Sequence, residues 1–135
     1  MKRAIAILSL ALLAWACPRI AGAQDGPACS ADSLTGSYGF VLNGTIVGVG
    51  PISIVGTIEY DGSGGFIRKE TTVINGHVLP PETIQGTYTV NANCTGTTVD
   101  SLGHHSVFVI VKHGKATYAE GTDPGSVITV VSEKQ

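Results

Sequence analysis

The chain has 135 residues, of which 13% are charged and 43% hydrophobic, with 18 glycines and a net charge of −2. That is enough apolar material for one core, and it excludes a chain kept disordered by its own charge. Lys2, Arg3 and Arg19 all precede position 24, so the remainder carries five basic residues against ten acidic ones, −5, and nucleic acid, which needs a basic face, is excluded as a partner.

Residues 1–23 read as a helical secretory signal peptide: a basic start at Lys2 and Arg3, an uncharged run from Ala4 to Ala16, and the small-residue site Ala21-Gly22-Ala23. The apolar run is too short to span a bilayer, and no other stretch predicts a membrane span. The alternative is a lipid anchor at Cys17, but Trp15 is bulky for that recognition site. Both readings predict export, to the periplasm or beyond the cell. Residues 24–35 form a lead-in segment and 36–135 a single β domain. After cleavage Cys29 and Cys94 remain, in a compartment where thiols oxidise, and they are expected to form a disulfide.

The first predicted strand is 37–47, with Tyr38, Phe40 and Leu42 on one face. Strands over 52–60 and 66–74 then form a hairpin about Asp61-Gly-Ser-Gly-Gly65, whose glycines suit a tight reversal. Pairing Ile58 with Ile67 sets Ile52 opposite Val73 and leaves Glu59, Arg68 and Glu70 on the outer face, whereas a slip of one residue would carry Arg68 and Glu70 inside. Asn75-Gly76 and Leu79-Pro80-Pro81 punctuate the chain before a strand at 82–90, in which Ile84, Tyr88 and Val90 alternate with threonines. A polar strand follows at 97–102, then 105–111, apolar on both faces as in a strand covered on two sides. Strands at 116–120 and 127–131 close the domain.

Eight short strands joined by short local connections predict an all-β, antiparallel up-and-down barrel, with a two-sheet sandwich as the alternative. Gly36-Ser-Tyr-Gly-Phe40, Gly56-Thr-Ile-Glu-Tyr60 and Gly86-Thr-Tyr-Thr-Val90 form a weak internal repeat; either a glycine at the same point is expected to relieve crowding where a curved sheet bends, or Gly-Thr-rich strands resemble one another by composition alone.

These segments, with Asp61-Gly-Ser-Gly-Gly-Phe66, Asn91-Ala-Asn-Cys-Thr-Gly96 and Thr122-Asp-Pro-Gly125, resemble a group of small exported proteins of soil bacteria, acidobacteria among them. The suggested shape of that group is similar to calycin or allene-oxide-cyclase-like barrels. The resemblance implies export and a barrel fold; its motifs are turn and strand residues, and it carries no catalytic residue onto this chain.

No motif commits the chain to a reaction or a cofactor. His104 and His105 are adjacent and point to opposite faces of a strand, so no metal site is expected, although either could meet Asp100 or Glu120 across strands. Glu59, Glu70, Glu82, Asp100 and Glu120 are the carboxylates from which a catalytic pair would be drawn, but no spacing joins two of them. Tyr38, Phe40, Tyr60, Tyr88 and Phe108 fall at matching places and are expected to line the lumen, where they would either fill it or hold one apolar ligand. The expected function is non-enzymatic binding of a small apolar molecule or an envelope protein. The enzyme alternative, an allene-oxide-cyclase-like cyclase or isomerase, requires Arg68, Glu70 or Glu120 in the lumen. A third reading is a structural module of a surface assembly.

Overall fold

The computed structural model describes residues 28–135; the leader over 1–23 and the Cys17 alternative lie outside them. Nine strands follow in order: β1 Thr35–Ile46, β2 Gly50–Asp61, β3 Gly65–Ile74, β4 His77–Val78, β5 Glu82–Val90, β6 Thr95–Asp100, β7 His105–Val111, β8 Ala116–Gly121 and β9 Ser126–Lys134. Each long strand pairs antiparallel with its neighbours in the chain, and β9 returns to β1, Val130 opposite Leu42, so the sheet has no free edge. The two-residue β4 only extends the side of β3. This is an eight-stranded up-and-down barrel, and a single closed sheet replaces the sandwich alternative.

The inner face is crowded with rings at one end. Tyr60 meets Tyr38 and Tyr88 edge to face, each at 5.2 Å between centroids, and Phe66 at 6.1 Å, the arrangement aromatic quadrupoles favour. Three phenylalanines lie over a glycine of the adjacent strand: Phe40 opposite Gly56, Phe66 opposite Gly86, and Phe108 opposite Gly96. A Cβ on those glycines would stand 2.9 Å from Phe40 Cε1, 2.5 Å from Phe66 Cε1 and 2.7 Å from Phe108 Cε1, inside van der Waals contact. Glycine is required there because the neighbour's ring occupies the space of its side chain. Two of the three, Gly56 and Gly86, open the short repeat seen in the sequence.

The same end is covered by the segment that precedes β1. A short 3₁₀ turn at Ala31–Ser33 crosses it, Leu34 is fully buried, and Tyr88 Oη donates to the carbonyls of Ala31 (2.9 Å) and Leu34 (3.0 Å). Tyr38 Oη donates to the Gly114 carbonyl in the β7–β8 turn. The expected disulfide, Cys29–Cys94, ties this cover to the β5–β6 turn, and the Cys29 amide donates to Ala92 O at 3.2 Å.

Three details depart from the sequence-based expectations. The central hairpin is shifted by one residue: Ile58 faces Arg68 and Ile52 faces Ile74, so Arg68 and Glu70 point inward, while Glu59 stays outside. The turn dictates this, because Asp61 Oδ1 accepts the amides of Ser63 (2.7 Å) and Gly65 (2.9 Å), which sets Tyr60 opposite Phe66 with both rings inside. The polar strand runs Thr95–Asp100 rather than 97–102, since Asp100 caps the following turn. Finally, 105–111 is not covered on two sides: Phe108 and Ile110 are buried, but Val107 and Val109 are exposed, because a single-layer barrel gives every strand one outer face.

Candidate functional site

The rings fill only half the barrel. In the other half, towards the turns after β1, β4, β6 and β8, a cavity of about 480 Å³ opens to solvent, within the usual size range for a small-molecule site. One wall is apolar: Leu42 and Ile46 of β1, Ile52 and Ile54 of β2, and Ile128 and Val130 of β9. The facing wall is more polar, with Arg68, Glu70 and Thr72 of β3, Thr98 and Asp100 of β6 and Ser106 of β7, and Ile84 of β5 between them. Exposed Leu102 lies on the cavity lining, and exposed Val47 and Val78 stand in the β1–β2 turn and in β4 at the same end, whereas the turns at the closed end carry Asp61, Asn91, Asn93, Lys112 and Lys115.

Arg68 is the centre of the polar wall. Its Nε faces Glu70 Oε2 as a buried ion pair lacking hydrogen-bond alignment, its Nη2 donates to Asp100 Oδ2 at 3.2 Å, and its guanidinium carbon stands 6.0 Å from the centre of the Phe40 ring. Asp100 is fully engaged: Oδ1 accepts the amides of Leu102 (2.9 Å) and His104 (3.0 Å), and Oδ2 also meets His104 Nδ1 at 3.1 Å. Burial pushes the Asp100 carboxyl up, but the His104 amide and ring and the Leu102 amide outweigh it and hold the group below the usual aspartate range. Glu70 goes the other way. Burial raises it above the usual glutamate range, Arg68 pulls it back in part, and the Glu82 and Asp100 carboxylates add to the rise. Glu82 is its register partner on β5. At the mouth His105 Nδ1 lies 3.0 Å from Asp123 Oδ1, and the His105 amide donates to Asp123 Oδ2 at 2.9 Å.

Tyr38, Phe40, Tyr60, Tyr88 and Phe108 all point into the barrel and are buried, yet none lines this cavity; they form the packed half beneath it. Of the five carboxylates considered from sequence, Glu70, Glu82 and Asp100 are brought to the cavity. Glu59 is exposed on the outer wall, and Glu120 is exposed where Thr129 Oγ1 donates to it at 3.1 Å. His104 does meet Asp100, within the turn that joins β6 to β7. Arg68 enters the lumen from sequence only under the slipped register or the enzyme reading, and Asp123 carries no sequence signal of a place at the cavity. The inward phase of Arg68 depends on the register of the hairpin, and the place of Asp123 on a turn contact.

No family model matches the chain, and no curated protein matches it. Among solved structures, a de novo designed fluorescence-activating β-barrel aligns with a TM-score of 0.49 and 12% identity, over 78% of this chain and 96% of that one, a likeness too distant to carry an argument. Fold and site together define a small disulfide-linked β-barrel, closed at one end, with a half-polar cavity open at the other.

Proposed function

We propose that this chain is an exported binding barrel that holds one small molecule with a substantial apolar body. The observation that carries the reading is the cavity of about 480 Å³ in the open half, with an aliphatic wall facing a hydrogen-bonding one, since a core meant only to be filled has no use for such a space. Exposed Leu102 on the cavity lining supports access by a poorly soluble ligand. The Cys29–Cys94 bond supports an oxidising compartment and fits the leader read over 1–23.

The test is saturable binding of a solvatochromic dye, compared with a Thr72→Trp variant. Thr72 is half-buried on the cavity wall and outside the packed rings, so an indole there fills the space without disturbing the closed half. Dye bound at one equivalent by the wild type and lost in the variant, with thermal unfolding unchanged, is the expected outcome. Equal binding by a folded Thr72→Trp protein would overturn the reading.

The cyclase or isomerase reading is favoured by one observation, the presence of Arg68 and Glu70 inside the lumen. It predicts that a bound molecule is released chemically altered, whereas a carrier returns it unchanged. Mass analysis of the recovered ligand separates the two.

A further inference from the structure

The single arginine in the lumen invites the idea of a carboxylate ligand, and the charge count argues against it. Cavity-lining residues include Arg68 and four carboxylates, Glu70, Glu82, Asp100 and Asp123. Arg68 already serves two of them, Glu70 and Asp100. His104 and His105 each turn Nδ1 to a carboxylate, so neither imidazole is free to receive an anion through that nitrogen. Lys69, the next basic residue along β3, is exposed on the outer face.

One acceptor in the polar wall is left over. Asp100 has both oxygens occupied. Glu70 has a side chain only 5% exposed, and its Oε2 sits against Arg68 Nε without hydrogen-bond alignment; among the described residues no hydrogen bond reaches either of its oxygens. The elements around it supply no further cation: β2 sets Gly56 opposite it, β5 sets Glu82, β6 brings Asp100, and its own strand offers Arg68. A nearly buried carboxylate that is ion-paired on one oxygen but accepts no hydrogen bond among the described residues, in a pocket with excess negative charge, is completed by a donor that is also a cation.

We infer that the cavity takes an amphiphile with a protonated amine head, its N–H groups meeting Glu70 and its hydrocarbon lying on the Leu42, Ile54 and Ile128 wall. The inference rests on the binding reading above and adds the class of ligand. The two walls face each other across the cavity, so the head is held on one side while the apolar body lies against the other.

The test compares decylamine, decanol and decanoate, which share a chain and differ in the head group, by calorimetric titration of the wild-type protein at about pH 8, where ordinary histidines are neutral. Decylamine is expected to bind at one equivalent and at least about tenfold more tightly than decanoate, a difference of about 1.4 kcal/mol, with decanol between them. In Glu70→Gln, checked for folding by thermal unfolding, the amine should lose its advantage over the alcohol. Decanoate or decanol binding as tightly as the amine would overturn the inference and leave the cavity reading standing. Absence of saturable binding by all three would sink both. The wild-type comparison decides the matter even if the Glu70→Gln protein does not fold.

Discussion

Replacing Gly86 by alanine tests the packing of the closed half, and local propensity and tertiary structure predict opposite signs for it. Gly86 lies within a strand and is not among the glycines with positive φ. Judged from the backbone alone, alanine should stabilise by about 0.4–1 kcal/mol, because it restricts the unfolded chain. In the barrel, however, the added Cβ would stand 2.7 Å from the Val99 carbonyl oxygen and 2.5 Å from Phe66 Cε1, with Phe66 Cζ closer still. The carbonyl belongs to the β6 backbone, and the ring is packed against Tyr60, so neither gives way freely. Overpacking of this kind costs about 1–3 kcal/mol, and with backbone on one side and a ring on the other the upper value applies. The expected net loss is therefore about 2–3 kcal/mol, roughly 8–12 °C in Tm for a domain of this size. Urea unfolding of Gly86→Ala, Phe66→Leu and the double variant measures it. Leucine vacates the space over position 86, so the double variant should be more stable than the sum of the single losses predicts, by at least about 1 kcal/mol. A Gly86→Ala protein as stable as the wild type would refute the assignment of that space to the ring.

Two further predictions concern the staple and the charged wall. Replacing Cys29 and Cys94 together by serine opens a link between residues separated by 65 positions, and the chain-entropy argument gives a loss of about 4 kcal/mol; urea unfolding that shows less than about 1 kcal/mol would mean the unfolded chain is already constrained there. The buried carboxylates set the pH profile. Asp100, held low, contributes stability that is present above the usual aspartate range and lost as pH falls through its folded value. Glu70, held high, has no such effect below the usual glutamate range but lowers stability as pH rises from there through its folded value. Stability should therefore peak in mildly acid solution, and Glu70→Gln, uncharged throughout, should flatten the decline on the alkaline side. A variant that declines as the wild type does would assign that limb to another group.

The alternation of Tyr38, Phe40 and Leu42, the Asp61-to-Gly65 turn and the cysteine pair were legible because each is a local statement about strand phase, reversal or redox chemistry. Strand count and closure followed from the short spacings. The phase of β3 was not legible for a physical reason. Ile67 is more apolar than Arg68, so a residue-by-residue reading turns Ile67 inward, yet Ile67 is 44% exposed and the Arg68 side chain only 17%. The decision is made elsewhere, by the Asp61 turn and by the fit of Phe66 over Gly86, a contact with a strand not yet reached in the chain. Burial of Arg68 is then made tolerable by Asp100, thirty-two positions away. The cavity followed the same logic: five aromatic residues could be assigned to the lumen from sequence, but whether they filled all of it depended on how deep each ring reaches.

Because three glycines cede their space to rings at one end, the barrel keeps its aromatic packing and its vacancy in separate places. The lower half, with its ring-on-glycine pairs, buried tyrosines and sulfur bridge, is a chassis that sets the circumference and holds it. The upper half is a fitting mounted on that chassis, and its inward side chains line the cavity. Exchanges at Thr72 or Ser106 leave every ring-on-glycine contact in place, so the lining of the cavity can change without asking the fold to change with it.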